Sequence, residues 1–154
     1  MTIDVGAHAP DFALHDQHGR TVRLSDFRGD RLVLIVFYPW SFTGICTSET
    51  REIQDSLPQL EDDDVQVLAI SCDAMSTQRV FADKEGLTYP VLSDFWPHGE
   101  VASAFGVFDA ERGAALRGSF LVDREGVVRW RVVNGIGEAR TLSDYRAVLG
   151  DLVG

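Results

Sequence analysis

The chain has 154 residues, which fits a single domain over residues 1–154 that can bury a core without disulfides or metal. Its formal charge of −10, from 24 acidic and 14 basic residues, disfavours nucleic acid as a partner. The chain start lacks the basic and apolar stretches of a secretory signal, and the longest apolar run, residues 32–40, is too short for a membrane span. With two cysteines and no disulfide framework, these features predict a soluble cytoplasmic protein.

The first predicted elements are a β-hairpin and a buried strand. Apolar and polar residues alternate over 11–24 around a turn that contains Gly19, which is typical of a hairpin. Residues 32–37 then form an uninterrupted apolar run rich in branched side chains, which favours a central strand covered on both faces. Pro39 ends this strand because proline cannot donate a hydrogen bond to a sheet.

The rest of the chain alternates helices and strands. The pattern predicts a helix over 47–60, a strand over 65–71, a helix over 76–86, a short strand over 89–92, a short helix around 101–105, a hairpin of strands 119–123 and 127–133, and a last helix from Thr141. Strand–helix–strand units imply parallel strands, and the closing hairpin adds antiparallel ones. We therefore predict an α/β protein with a mixed central β-sheet flanked by helices and an N-terminal β-hairpin, as in thioredoxin-like folds.

Cys46 is the main candidate for chemistry, because it follows the buried strand and opens a predicted helix. The N-terminus of a helix carries partial positive charge, so a thiol there is stabilised as the nucleophilic thiolate. Thr43, three residues earlier, shares a face with it and could donate a hydrogen bond to the thiolate or to a substrate oxygen. Pro39 lies at the same pocket and could shield the sulfur from water.

The charged residues near this motif set a second expectation. Glu49 lies one turn after Cys46, and a carboxylate there disfavours a thiolate unless a cation balances it. Arg117, at the entry to a late strand, and Arg140, just before the last predicted helix, are the candidate cations.

These residues carry a family resemblance that runs over essentially the whole chain. Residues 39–46 read Pro-Trp-Ser-Phe-Thr-Gly-Ile-Cys and fit the P-x-x-x-T-x-x-C signature of peroxiredoxins. Residues 6–12 with 24–29 are similar to the N-terminal hairpin of that family, and Arg117 with the strand after it resembles its arginine-bearing strand. Residues 93–99 resemble the AhpE-like one-cysteine subgroup.

The resemblance implies a thiol-dependent peroxidase of thioredoxin fold that reduces hydrogen peroxide, organic hydroperoxides or peroxynitrite. It assigns the sulfenic acid to Cys46, the rest of the pocket to Pro39, Thr43 and Arg117, and the orientation of that arginine to Glu49 and Arg140. It also implies no metal or organic cofactor, a homodimer, and an external reductant such as a thioredoxin, a glutaredoxin-like mycoredoxin or a low-molecular-weight thiol.

Cys72 has two interpretations. It follows a predicted core strand, where a cysteine usually serves as a small buried hydrophobe, and it is also the only other thiol that could resolve a sulfenic acid on Cys46. AhpE-like relatives generally lack an internal resolving cysteine. We therefore predict a one-cysteine mechanism.

Three other functions compete with a peroxidase. A dithiol–disulfide oxidoreductase needs C-x-x-C, whereas this chain has Thr43 at the first position of that motif. A redox-sensing or chaperone-like module would use the same residues and differ only in lacking efficient recycling. A cysteine–histidine hydrolase is disfavoured because no histidine follows Cys46 in a hydrolase motif.

Overall fold

A computed structural model describes residues 2–138 and 140. In chain order the elements are β1 Ala13–His15, β2 Thr21–Arg23, a 3-10 helix Leu24–Phe27, β3 Leu32–Phe37, α1 Gly44–Asp62, β4 Val65–Ser71, α2 Met75–Glu85, β5 Val91–Ser93, α3 Glu100–Ala104, β6 Phe108–Asp109, β7 Ala114–Ala115, β8 Arg117–Val122 and β9 Val128–Asn134.

Seven strands form one mixed sheet in the order β2-β1-β5-β4-β3-β8-β9, and β6 and β7 form a separate small hairpin. β3 is parallel to β4, and β4 is parallel to β5, as the strand–helix–strand pattern predicts. β8 runs antiparallel to both β3 and β9. β3 therefore lies in the interior of the sheet, which explains why all six of its residues are apolar and buried.

Alternate residues of the central strands feed two cores, one on each face of the sheet. Leu34 and Val36 pack with α1 and α2 on the first face. Ile35 and Phe37 pack with α3 and the N-terminal segment on the second. Helices thus cover both faces, and the loop that leaves β3 delivers α1 to the first of them.

The predicted elements are confirmed within residues 2–138, with shifts at their ends. α1 begins at Gly44 rather than residue 47 and continues to Asp62, although it contains Pro58. The predicted boundaries of β4 match the structure. α2 ends at Glu85 and is followed by Gly86, whose φ of 68° is the left-handed conformation that glycine adopts most easily.

Some features were not predicted. The 3-10 helix and the β6–β7 hairpin are too short to give a periodic signal. The helix predicted from Thr141 lies outside the described residues. No helix within residues 2–138 is both long and apolar enough to cross a bilayer.

Candidate active site

Cys46 occupies the first turn of α1, as predicted, and its side chain is completely buried. Helix α1 begins at Gly44, so the sulfur belongs to the turn whose backbone amides lack partners within the helix. The residue packs in the core on the α1 face with Tyr38 and Ile53. The fold therefore places a thiol at the positive end of a 19-residue helix, away from water.

Three predicted charged residues meet beside this sulfur. Nη1 of Arg117, the first residue of β8, donates to Cys46 Sγ at 3.3 Å and to Glu49 Oε1 at 2.6 Å. Arg140 donates to the same carboxylate from its Nη2 at 2.9 Å, from its Nε at 3.0 Å and from its backbone amide at 2.8 Å. All three side chains are buried. Glu49 therefore joins the two arginines, and one of them reaches the sulfur.

The charges of this cluster do not cancel. Two guanidinium groups face one carboxylate, which leaves one positive charge near Cys46. Burial alone would raise the pKa of Glu49, but hydrogen bonds and charge from Arg140, followed by the charge of Arg117, hold it below its usual range. The carboxylate thus stays ionised and orients the arginines, while the surplus positive charge is available to the sulfur.

Arg140 also ties the cluster to the sheet. Its Nη1 donates to the Phe37 carbonyl oxygen at 2.6 Å and to the Gly118 carbonyl oxygen at 3.0 Å. These acceptors belong to neighbouring strands, β3 and β8, at the edge where the β3–α1 loop departs. The side chain therefore fixes Glu49 relative to the strand that carries Arg117.

Pro39 and Thr43 lie in the β3–α1 loop, Pro39 buried and Thr43 directly before α1. The Thr43 hydroxyl donates to the Trp40 carbonyl oxygen at 2.8 Å. A hydroxyl has a single proton, so in this arrangement Thr43 donates to the backbone and offers only lone pairs to a ligand that carries a proton. The expected donation from Thr43 to the sulfur is not made in this arrangement.

Comparison with known proteins assigns this site to a family. Residues 5–131 match the model of the AhpC/TSA family. Alkyl hydroperoxide reductase E of Mycobacterium tuberculosis is 48% identical over 138 residues, which cover 90% of each chain. A putative peroxiredoxin of Synechocystis, sll0755, is 36% identical over 96% of this chain and 77% of its own length.

The chain is a peroxiredoxin of the AhpC/TSA family. It is thus a thiol peroxidase, as the resemblance implied. The crystal structure of AhpC from Enterococcus faecalis superposes with a TM-score of 0.88 at 28% identity, over 99% of this chain and 93% of that one. The predicted thioredoxin-like fold is therefore confirmed.

The second thiol of this peroxiredoxin has different surroundings. Cys72 comes two residues after Ile70, whose side chain belongs to the core on the α3 face. Cys72 also hydrogen-bonds with the backbone of Ala115, a residue of that same core. Burial raises the pKa of the Cys72 thiol to about 12, and the charges of Asp94 and Asp73 add to the effect. Both cysteines are free, and only Cys46 belongs to the core on the α1 face.

A buried polar network next to the site was missed by the sequence analysis. The Ser41 backbone amide donates to Asp73 Oδ2 at 2.9 Å, and the Ser41 hydroxyl donates to Gln78 Oε1 at 2.7 Å. Gln78, Phe81 and Ala82 form the buried face of α2 at helical spacing, so a polar residue on an apolar stripe was the available signal. Val80, next to Phe81 in the sequence, is instead 57% exposed.

Among the described residues, no three histidine, cysteine or acidic side chains come together as a metal site.

Proposed function

We propose that Cys46 is the peroxidatic residue of this peroxiredoxin. The observation that carries the proposal is the 3.3 Å contact between Arg117 Nη1 and Sγ at a buried helix N-terminus. This contact places a positive charge and a hydrogen-bond donor beside the sulfur. In a buried site of low dielectric, both interactions are stronger than in water.

The reaction is a two-electron transfer to the peroxide. The Cys46 thiolate attacks the terminal oxygen of the hydroperoxide, and the S–O bond forms as the O–O bond breaks. The sulfur becomes a sulfenic acid, and the other peroxide oxygen takes a proton from water and leaves as water or an alcohol. Negative charge moves from the sulfur to the leaving oxygen during this step.

The neighbouring residues act on that movement of charge. As negative charge moves, Arg117 can donate hydrogen bonds to the reacting oxygens as well as to the sulfur. The arginine therefore stabilises the transition state more than the ground state. Glu49 and Arg140 hold its guanidinium in place. Thr43 offers lone pairs that can accept a hydrogen bond from the hydroperoxide O–H and so orient the substrate, and Pro39 excludes water without adding a competing donor.

The serine variant of Cys46 tests the assignment. Cys46→Ser is expected to abolish peroxide consumption, because a serine hydroxyl is barely ionised near neutral pH and cannot take this role. The matched control is Cys72→Ser, which is expected to retain the wild-type rate of oxidation in stopped-flow measurements with hydrogen peroxide. A Cys46→Ser protein that kept a tenth of the wild-type rate would contradict the proposal.

The sulfenic acid is reduced by an external thiol in this proposal. An intramolecular disulfide needs Cα atoms within about 7 Å. Cys72 instead hydrogen-bonds with the backbone of Ala115, a residue of the α3-face core, whereas Cys46 packs with the α1-face core. A thioredoxin, a glutaredoxin-like mycoredoxin or a low-molecular-weight thiol would form the mixed disulfide with Cys46 and release water. Because Cys46 is completely buried, the groups around it must move aside for that step.

Trapping with dimedone tests the one-cysteine cycle. The wild-type protein, oxidised with one equivalent of peroxide in the absence of other thiols, is expected to label on Cys46 as fully as the Cys72→Ser variant does. Mass spectrometry gives the site and the extent of labelling. Wild-type protein that fails to label while Cys72→Ser labels fully would identify Cys72 as the resolving residue.

The substrate class and the assembly also belong to this proposal. The similarity to an alkyl hydroperoxide reductase supports organic hydroperoxides as substrates beside hydrogen peroxide and peroxynitrite. A homodimer is consistent with aromatic side chains that a monomer leaves in water, among them Trp96, which is 82% exposed. A reducing cytoplasmic compartment, predicted from the sequence, would supply the thiols that complete the cycle.

A further inference from the structure

The loop between β3 and α1, residues 38–43, brings Pro39 and Thr43 to Cys46 and is held in an unusual conformation. Phe42, in this loop, has a φ of 70°, in the left-handed region. That conformation is unfavourable for a residue with a side chain, because Cβ comes close to the backbone carbonyl oxygen. Such a conformation persists only where surrounding contacts fix it. The contacts that fix this loop therefore bear on the geometry of the site.

Hydrogen bonds to Asp73 and Gln78 hold the loop on both sides of Pro39 and Trp40. After these residues, Ser41 is bound through its amide to Asp73 and through its hydroxyl to Gln78. Before them, the Tyr38 hydroxyl donates to the same Gln78 Oε1 at 3.2 Å and lies 2.9 Å from the Ser41 hydroxyl.

Asp73 and Gln78 are themselves anchored to the sheet. The Ser71 hydroxyl, at the end of β4, donates to Asp73 Oδ2 at 2.6 Å and accepts from Gln78 Nε2 at 2.7 Å. Gln78 Nε2 also donates to the Leu92 carbonyl oxygen of β5 at 2.9 Å. The loop is thus bound to two central strands and to α2 through two side chains, and no buried side-chain N or O among the described residues lacks a partner.

The charge cluster at the sulfur is separate from this network. Arg117 bonds to Cys46, to Glu49 and to the Ile136 carbonyl oxygen, whereas Asp73 and Gln78 bond to loop, strand and helix residues on the side of α2. The groups that stabilise the thiolate and the groups that hold the loop can therefore be altered independently.

We propose that Asp73 and Gln78 are positioning residues of the peroxidase reaction, which hold the 38–43 loop so that Pro39 and Thr43 stay in register with the Cys46 sulfur. The proposal rests on the proposed roles of Cys46 and Thr43. The proposal predicts that loss of these residues affects the reaction with peroxide but not the stabilisation of the thiolate. Loosening the loop misplaces the groups that orient the peroxide, but leaves Arg117 and the helix N-terminus to stabilise the thiolate.

Two reactions of the same sulfur separate these effects. Asp73→Ala and Gln78→Leu are expected to lower the rate constant for oxidation of Cys46 by hydrogen peroxide by about tenfold or more, since each 1.4 kcal/mol of lost transition-state stabilisation gives that factor. Alkylation of Cys46 by iodoacetamide needs the thiolate but no oriented peroxide. Its rate is expected to stay the same or to rise, with an unchanged pH dependence. The ratio of the two rates is the readout.

Asp94→Ala is the matched control. Asp94 is also a buried aspartate just after a central strand, and it accepts hydrogen bonds from the backbone amides of Val101 and Ala102 at 3.1 and 2.9 Å, on the α3 face. Its loss should lower the urea midpoint and leave the ratio of rates unchanged. An unchanged ratio in Asp73→Ala, or an equal fall in Asp94→Ala, would overturn the proposal.

Milder variants keep the test decisive if the alanine variant does not fold. Asp73→Asn keeps an acceptor for the Ser41 amide and is expected to retain most of the ratio. Ser41→Ala deletes one hydroxyl and keeps the hydrogen bond from the Ser41 backbone amide to Asp73. This variant is expected to give an intermediate fall in the ratio of rates. An unaltered ratio in Ser41→Ala would count against the network. If peroxide fails to block alkylation of wild-type Cys46, the assignment of Cys46 fails instead, whatever the variants show.

Discussion

Cys46 and Cys72 lie beyond the carboxyl ends of the neighbouring parallel strands β3 and β4, yet their surroundings differ in electrical character. Cys46 receives a hydrogen bond from Arg117 at the positive end of α1. Cys72 is buried within reach of the charges of Asp94 and Asp73. Burial and nearby carboxylates oppose a thiolate. The second site therefore keeps its thiol protonated, whereas the first places positive charge beside its sulfur.

The difference shows that charged partners, rather than exposure, distinguish the two cysteines. Both residues are buried, so exposure alone would not distinguish them. Glu49 and two arginines lie beside Cys46, whereas the carboxylates of Asp94 and Asp73 lie near Cys72.

The largest expected effect concerns the chemical protection of Cys72. In the Cys46→Ser variant, iodoacetamide near neutral pH should react with native Cys72 at least about 1,000-fold more slowly than with the same protein unfolded in urea. The reason is that a pKa of about 12, against 9.0 for an ordinary thiol, lowers the thiolate fraction by that factor. Mass spectrometry of timed samples gives both rates. A native Cys72 labelling rate within tenfold of the unfolded rate would contradict the proposed difference between the two cysteines.

The next effect concerns the cation at Cys46. Arg117→Ala is expected to slow oxidation of Cys46 by hydrogen peroxide by about 10²–10³, which is typical for the loss of one preorganised donor. Arg117→Lys should restore only part of the rate, because a point charge cannot serve the sulfur and Glu49 as a planar guanidinium does.

The matched control for this prediction is Arg112→Ala, which removes an exposed arginine paired with Asp109. Its oxidation rate should equal that of the wild type in the same stopped-flow measurement, with circular dichroism to verify that each variant is folded. A rate within twofold of wild type for Arg117→Ala would remove this arginine from the mechanism.

Much of the fold was predictable because its strands differ so clearly in pattern. The unbroken apolar run of β3 predicts a strand buried on both faces, and the strand is interior to the sheet. The position of Cys46 at a helix start also followed from local order, since a strand, a proline and a helical stretch succeed one another over few residues. Local sequence determined these features, so no knowledge of distant contacts was needed.

The remaining parts of the site depend on contacts across the chain. Arg140 reaches Glu49 from 91 residues away, and Asp73 reaches the Ser41 amide from 32 residues away. The charge of Glu49 made Arg140 a candidate cation, but only the family resemblance linked it to the orientation of Arg117. Asp73 and Gln78 were not predicted, because a polar residue beside a strand or on a helix shows its role only once the sheet order is known. The positive φ of Phe42 likewise has no signal in its residue type.

The smallest expected effect is on stability at alkaline pH, and it follows from the same contrast. In the folded protein burial raises the pKa of Cys72 from 9.0 to about 12, so between these values the unfolded chain has lost a proton that the folded chain keeps. The free energy of unfolding must then fall as pH rises through this window, while below it the contribution of Cys72 is constant. The slope from one group is at most about 1.4 kcal/mol per pH unit.

Burial also raises the pKa values of Tyr38 and Tyr89, so the wild-type slope contains their contributions. Cys72→Ser removes only the thiol and leaves both tyrosines in place. Urea unfolding of the reduced proteins at a series of pH values above 9 should therefore show a shallower decline in the variant, with parallel curves at neutral pH. Curves that stay parallel throughout would mean that Cys72 ionises in the folded protein as easily as in the unfolded chain. The proposed difference between the surroundings of the two cysteines would then not hold for this thiol.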